Sequence, residues 1–128
     1  PIVEGMWRGV NVAGTSGKAR LPGLDVCGKT GTAQNPNGAD HSTFLSFAPK
    51  NNPKIAISVY IEHGGFGAEI ALPIASLIEE LYLTDTITRP DMVEKVLNIT
   101  PKYSRNYDAK QRTYDMKREE EQRKKQKK

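Results

Sequence analysis

Leu24-Asp25-Val26-Cys27-Gly28-Lys29-Thr30-Gly31-Thr32-Ala33-Gln34 is the stretch around which the rest of this chain is arranged. Its centre, Lys29-Thr30-Gly31-Thr32, joins one cation, two hydroxyls and a glycine within four residues. Extended backbone sends successive side chains to opposite faces, so Thr30 and Thr32 share one face while Lys29 and Gly31 share the other. Two hydroxyls on one face can both donate to a single carboxylate. Gly31 offers no side chain of its own, which permits a close approach by backbone or ligand. The Lys29 ammonium adds potential that favours an acidic partner. Thr in a strand beside a Gly is also ordinary sheet chemistry, so the triplet alone is a weak signal.

The downstream residues strengthen it. Asn35-Pro36-Asn37-Gly38-Ala39-Asp40 is a cluster of turn formers, and Ser42 to Ala48 then returns as a second, antiparallel strand. Pro49 to Pro53 makes another turn. Lys54 to Glu62 is the third strand, with Ile55, Ile57, Val59 and Ile61 alternating against Ala56, Ser58 and Tyr60. A glycine loop, Gly64-Gly65-Phe66-Gly67, leads into a helix over Ile70–Leu83. There Ile70, Ile74, Leu77, Ile78 and Leu81 form an apolar stripe expected to face the sheet, with Pro73 near the first turn. Thr84 to Pro90 is a connector, and Asp91 to Leu97 a short helix.

Upstream of the central strand, Ile2, Val3, Met6, Trp7 and Val10 repeat at helical spacing over Ile2–Val10. Glycines 5 and 9 weaken that helix by about 1 kcal/mol each relative to Ala unless close packing uses them. Asn11 to Gly23 reads as loop and turn. The fold class is therefore α/β of the α+β kind, an antiparallel sheet flanked by helices.

Charge divides the chain. Residues 1–101 hold eight Lys/Arg and ten Asp/Glu, a net of −2; residues 102–128 hold eleven and five, a net of +6, giving the overall +4. Residues 1–101 are expected to form the folded portion and residues 102–128 a basic polar tail, disordered or a solvated helix. The folded portion gives no sign of nucleic-acid binding. The tail carries a minority expectation of contact with an anionic surface. Cys27, the single cysteine, excludes an internal disulfide and is expected to be buried, on the same inward strand face as Lys29. His41 and His63 form neither a triad nor a metal-ligand spacing, and no cofactor is expected. His41 is read as orienting the loop beside the central strand or as an exposed turn residue, and Glu62 and Glu69 as solvated charges. No run reaches membrane-spanning length and no signal peptide is visible. Beginning at Pro1 without Met, the chain reads as a fragment with any targeting segment upstream.

The ordered series of Lys29-Thr30-Gly31-Thr32-Ala33-Gln34, Asp40 to Pro49, Lys54 to Glu62, the glycine loop and Ala71-Leu72-Pro73-Ile74 resembles the C-terminal part of a transpeptidase domain. The domain is that of class B penicillin-binding proteins, and within that class the elongation type, penicillin-binding protein 2, is most similar. The resemblance covers Ile2 to Leu83 and implies a partial β-lactamase/D,D-transpeptidase-like fold. It also implies a peptidoglycan D,D-transpeptidase working through a serine acyl-enzyme. On that basis Lys29 supplies positive potential and contacts the serine of an upstream Ser-x-Asn motif. Thr30 and Thr32, with Gly31 between them, bind the terminal carboxylate of a D-Ala-D-Ala stem peptide or of a β-lactam. The backbone N–H of Thr32 forms half of the oxyanion hole.

The family's nucleophile motif, Ser-x-x-Lys, occurs nowhere in residues 1–128, and Ser104-Arg105-Asn106 falls after Lys-Thr-Gly, where the family's Ser-x-Asn does not. The chain is therefore expected to hold a substrate wall without a nucleophile and to be inactive alone. Its parent would be anchored at the periplasmic face of the bacterial inner membrane, within a cell-wall synthesis complex. Exposed sheet surface would make the fragment self-associate. Two other functions stay open: a non-catalytic β-lactam sensor or binding module of the same fold, and an unrelated α/β interaction domain with a basic tail.

Overall fold

Three antiparallel strands, β1 (Cys27–Ala33), β2 (His41–Ala48) and β3 (Ile55–Ile61), form one sheet in the order β1-β2-β3. Helix α1 (Ile2–Asn11) precedes them, and α2 (Ala71–Thr84) and α3 (Pro90–Leu97) follow. The computed structural model describes residues 1–36 and 38–99, together with Thr113, Met116, Lys117 and Lys124. The expected boundary at residue 101 and the polar tail lie, apart from those four residues, outside the described ones.

Register fixes which face is buried. Thr30 pairs with Phe44 and Phe44 with Val59, while Gly28 pairs with Ser46 and Ser46 with Ile57. Directly paired residues share a face. Phe44 is fully buried there, and Ser42 and Ser46 are buried beside it. The opposite face carries Lys29, Leu45 and Tyr60, all exposed. The half-buried isoleucines and Val59 of β3 alternate with exposed Ala56, Ser58 and Tyr60, as the sequence pattern requires.

Three expectations need correction. The first strand begins at Cys27, not Leu24, because Leu21-Pro22-Gly23-Leu24 closes on itself. Leu24 N–H donates to Leu21 O and Val26 N–H to Leu24 O, with Gly23 in left-handed conformation at φ 78°. Local hydrogen bonds consume these donors before the strand can pair. Second, the Lys29 face points outward, because Phe44 and the α2 side chains define the core on the Thr30 face. Cys27 is nonetheless buried, and burial pushes its thiol pKa up.

The third correction concerns α2. Leu77 of the expected stripe is buried and Ile70 and Ile74 are half-buried, but Ile78 and Leu81 are 47% and 49% exposed, and the fully buried line is Leu72, Ala75, Ser76 and Glu79. Both sets obey the helical repeat, so periodicity could not choose between them. The set that won contains Ala75 and Ser76, whose small side chains let the helix lie close to the sheet. Its first turn is capped from outside: Ala71 N–H donates to Ser42 Oγ of β2, which in turn donates to Phe66 O. This supplies the partner that the helix start otherwise lacks.

Helix α1 lies across the beginning of β1. Asn11 Nδ2 donates to Val26 O at 2.8 Å, and Trp7 Nε1 to Asp25 Oδ1 at 2.9 Å. Lys50 holds Glu4 Oε2 at 2.6 Å and lies 4.7 Å from the centre of the Trp7 ring. The Lys50 hydrogen bond lowers the Glu4 pKa. Val10 is buried, while Ile2 at the helix start is 80% exposed.

Candidate functional site

The candidate site is the outer strand β1, which among the described residues pairs with β2 alone. Lys-Thr-Gly-Thr therefore stands at a border of the sheet. Lys29 and Thr32 are exposed, and Thr30 and Gly31 half-buried. The structure holds Lys29, Thr30, Gly31 and Thr32 consecutively in extended backbone, so the alternation inferred from the sequence applies to them. Thr30 and Thr32 fall on the Phe44 side and Lys29 on the other. The Lys29 ammonium folds back onto the carbonyl of Thr30.

Gly31 is needed for a reason inside the chain. A Cβ at this position would collide with Thr43 Oγ1 on the adjacent strand. The backbone of Gly67 also sits against Gly31 and Thr43, so closely that a side chain there would strike both carbonyl oxygens. The glycine loop thus packs onto the sheet at the level of the motif. The close approach permitted by Gly31 is used by the protein itself.

Two residues near β1 were not legible as site residues. Thr15, in the loop after α1, places its Oγ1 2.7 Å from Thr30 Oγ1. Asp25, just before β1, accepts from Trp7. A threonine in a loop carries no periodic signal, and its partner is fifteen residues away, so only the folded backbone reveals the contact.

The histidines serve the far end of the sheet. His63 N–H donates to His41 Nδ1 at 3.0 Å, which leaves the His41 proton on Nε2 when that ring is neutral. Asn35 Nδ2 lies 2.9 Å from His63 Nδ1, Asn35 N–H donates to Asp40 Oδ1, and Gly65 N–H donates to Asp40 O. These bonds tie the turn after β1 to the turn after β3. His41 is half-buried on β2, not an exposed turn residue, and its hydrogen bond reaches the turn after β3 at His63. Among the described residues no group of three His, Cys, Asp or Glu could hold a metal ion.

Behind the sheet lies a second charged region. Glu80 Oε1 accepts from Thr88 N–H and Oγ1, and its Oε2 from Arg89 Nε at 2.9 Å. Burial works against ionisation of Glu80, but the Thr88 bonds and the Arg89 guanidinium outweigh it and hold the carboxyl below its ordinary range. Arg89 also donates to Ser76 Oγ and O and to Lys18 O, joining α2 to the loop before β1. Glu79, one residue away, is fully buried with neither oxygen hydrogen-bonded, and Ser46 Oγ is likewise unpaired. Burial pushes Glu79 up to about 7; the nearby Ser46 hydroxyl and the Arg89 charge only partly offset it.

Comparison with known proteins gives a consistent family. Residues 2–80 match the family described as the penicillin binding protein transpeptidase domain. The peptidoglycan D,D-transpeptidase MrdA of Haemophilus influenzae is 32% identical over 101 residues, covering 66% of this chain and 16% of that protein. The peptidoglycan D,D-transpeptidase PbpA of Mycobacterium tuberculosis is 34% identical over 77 residues, covering 52% and 15%. Among solved structures, penicillin-binding protein A from M. tuberculosis, as its imipenem acyl-enzyme complex, superposes with a TM-score of 0.55. Its sequence identity is 34%, and the match covers 64% of this chain and 18% of that one. The chain thus spans about one sixth of the length of the two curated relatives.

Proposed function

The chain belongs to the penicillin-binding-protein transpeptidase family, and from that premise we propose that it is the C-terminal part of a peptidoglycan D,D-transpeptidase of the elongation type. Its role in the complete enzyme is to supply the wall that holds the substrate's terminal carboxylate. A serine outside residues 1–128 attacks the carbonyl of the penultimate D-Ala. The ester bond to the enzyme forms, and the terminal D-Ala departs with a proton on its amine. The amine of a second stem peptide then displaces the serine and completes the cross-link. A β-lactam enters the same position, and its ring opens on the serine.

Within that sequence Thr30 and Thr32 donate to the carboxylate, and Lys29 supplies positive potential and a contact to the upstream Ser-x-Asn serine. Thr32 N–H is one of two oxyanion donors, the second coming from the nucleophile's own backbone. One observation supports the proposal: the motif lies on the border strand of the described sheet, with Lys29 and Thr32 exposed, instead of being used up in the core. A site at the periplasmic face of the inner membrane suits this chemistry. No described helix is long and apolar enough to cross a membrane.

The test is labelling by a fluorescent penicillin of three samples: residues 1–128 alone, the complete protein, and the complete protein with Lys29→Ala. The isolated chain stays unlabelled because it holds no Ser-x-x-Lys. The complete protein labels, and Lys29→Ala slows labelling by about 100–1000-fold, the usual loss for one well-placed stabiliser of developing charge. Labelling of the isolated chain, or equal rates for the two complete proteins, refutes the assignment.

A further inference from the structure

We infer that Thr15 is a positioning residue for carboxylate recognition, fixing the direction in which the Thr30 hydroxyl donates; this rests on the role proposed above for Thr30. The two oxygens are 2.7 Å apart, the ordinary distance of a hydroxyl–hydroxyl hydrogen bond. Each hydroxyl has one proton and two lone pairs, so one donates and the other accepts. If Thr30 gives its proton to Thr15, it turns only lone pairs toward an incoming anion. If Thr15 donates, the Thr30 proton is free for the carboxylate, and accepting a bond polarises it further. An anionic ligand selects the second arrangement. Thr15 then acts as the rear member of a two-hydroxyl relay whose front member touches the substrate.

The loop holding Thr15 is built to keep it there. Val12 and Ala13 N–H both donate to Arg8 O, which curls the chain back over the end of α1. Gly14 comes next with φ 156°, and a Cβ on it would come within 2.8 Å of Gly9 O and 2.9 Å of Gly9 Cα. Glycine is thus required at 14 and its absent side chain is matched by the glycine at 9. Beyond Thr15, Ser16 and Ala19 are buried, and Arg89, itself bonded to Ser76 and Glu80 of α2, donates to Lys18 O. Thr15 itself is exposed, so its side chain is not held in place by the core, and its hydroxyl is the group that meets the strand.

The experiment uses the complete protein with Thr15→Val, Thr15→Ser and Thr30→Val. It measures the second-order acylation rate with benzylpenicillin and with its methyl ester, which lacks the anionic carboxylate. Thr15→Val is expected to slow acylation by benzylpenicillin about tenfold, with less than about twofold change for the ester, and Thr15→Ser to restore the rate. Equal slowing for acid and ester, or no rescue by serine, would make Thr15 a packing residue and overturn the inference. An unchanged rate for Thr15→Val beside a slowed Thr30→Val overturns it while leaving the proposed function standing. An unchanged rate for Thr30→Val removes both.

Discussion

The outer strand β1 and the buried face of α2 treat polar groups in opposite ways. On β1 a cation and a hydroxyl, Lys29 and Thr32, stand exposed along four consecutive residues, and their chemistry can be read directly from the sequence. On α2 two adjacent carboxylates are driven into the protein, and they differ from each other as sharply as from the strand. Glu80 receives three hydrogen bonds and is held ionised; Glu79 receives none and is pushed up to about 7. The contrast teaches that a motif announces chemistry when it is local. A buried charge is governed by partners eight or nine residues away or on another strand.

If α2 is the stabilising region and β1 the functional one, substitutions should separate cleanly. The largest stability effect should come from Arg89→Ala, which leaves Glu80 buried with its ion partner gone. A loss of about 3–5 kcal/mol in unfolding free energy is expected by denaturant titration. A loss under about 1 kcal/mol would show that Thr88 alone satisfies Glu80, and that the guanidinium is not what permits the charge to be buried.

Glu79 sharpens the comparison through pH. Its carboxyl rises from an ordinary 4.5 to about 7 in the folded chain, so the folded state binds the proton more tightly than the unfolded state. Stability is therefore greatest below about pH 4.5, declines as pH rises toward about 7, and is flat above that for this group. Glu79→Gln should abolish the decline and raise stability at about pH 8 by on the order of 3 kcal/mol, the free-energy equivalent of the shift. Unfolding curves at about pH 5 and about pH 8 check this. An equal response of wild type and variant at the two values would mean that Glu79 stays ionised in place.

The smallest thermodynamic effect belongs to the outer face of α2. Ile78, Leu81 and Tyr82 are each about half exposed or more, as are Leu45 and Tyr60 on the outward sheet face. We expect the isolated chain to self-associate through such surface. Leu81→Ser should shift sedimentation toward monomer while changing unfolding free energy by no more than about 0.5 kcal/mol. A monomeric wild type at high concentration would contradict this.

Much of the fold was legible from residues 2–83. The alternation of Ile55, Ile57, Val59 and Ile61, the turn formers at residues 35–40 and the apolar spacing over residues 2–10 each specify their element locally. Gly9 does accommodate close packing, against Gly14, whereas Gly5 faces open space. Orientation could not be read. The α2 stripe held at Leu77, which is buried, and failed at Ile78 and Leu81, because Leu72-Ala75-Ser76-Glu79 and Ile74-Ile78-Leu81 share one period, and the choice depends on how closely the sheet lets a helix approach. The inward face of β1 failed because Phe44, on another strand, decides it. For the site, Lys29, Thr30, Gly31 and Thr32 were visible as a motif. Thr15 was not, because its relation to Thr30 exists only after the loop at Gly14 folds back on α1.

The proposed function requires Thr30 to be a substrate contact and not a structural hydroxyl. The most direct measurement is the acylation rate of the complete protein with Thr30→Val, taken beside its thermal midpoint and that of Arg89→Ala. The expected result is acylation slowed by about 100-fold or more at an unchanged midpoint for Thr30→Val, and a lowered midpoint for Arg89→Ala. Unaltered acylation in Thr30→Val, or a fall in rate that merely follows a fall in midpoint, would contradict it.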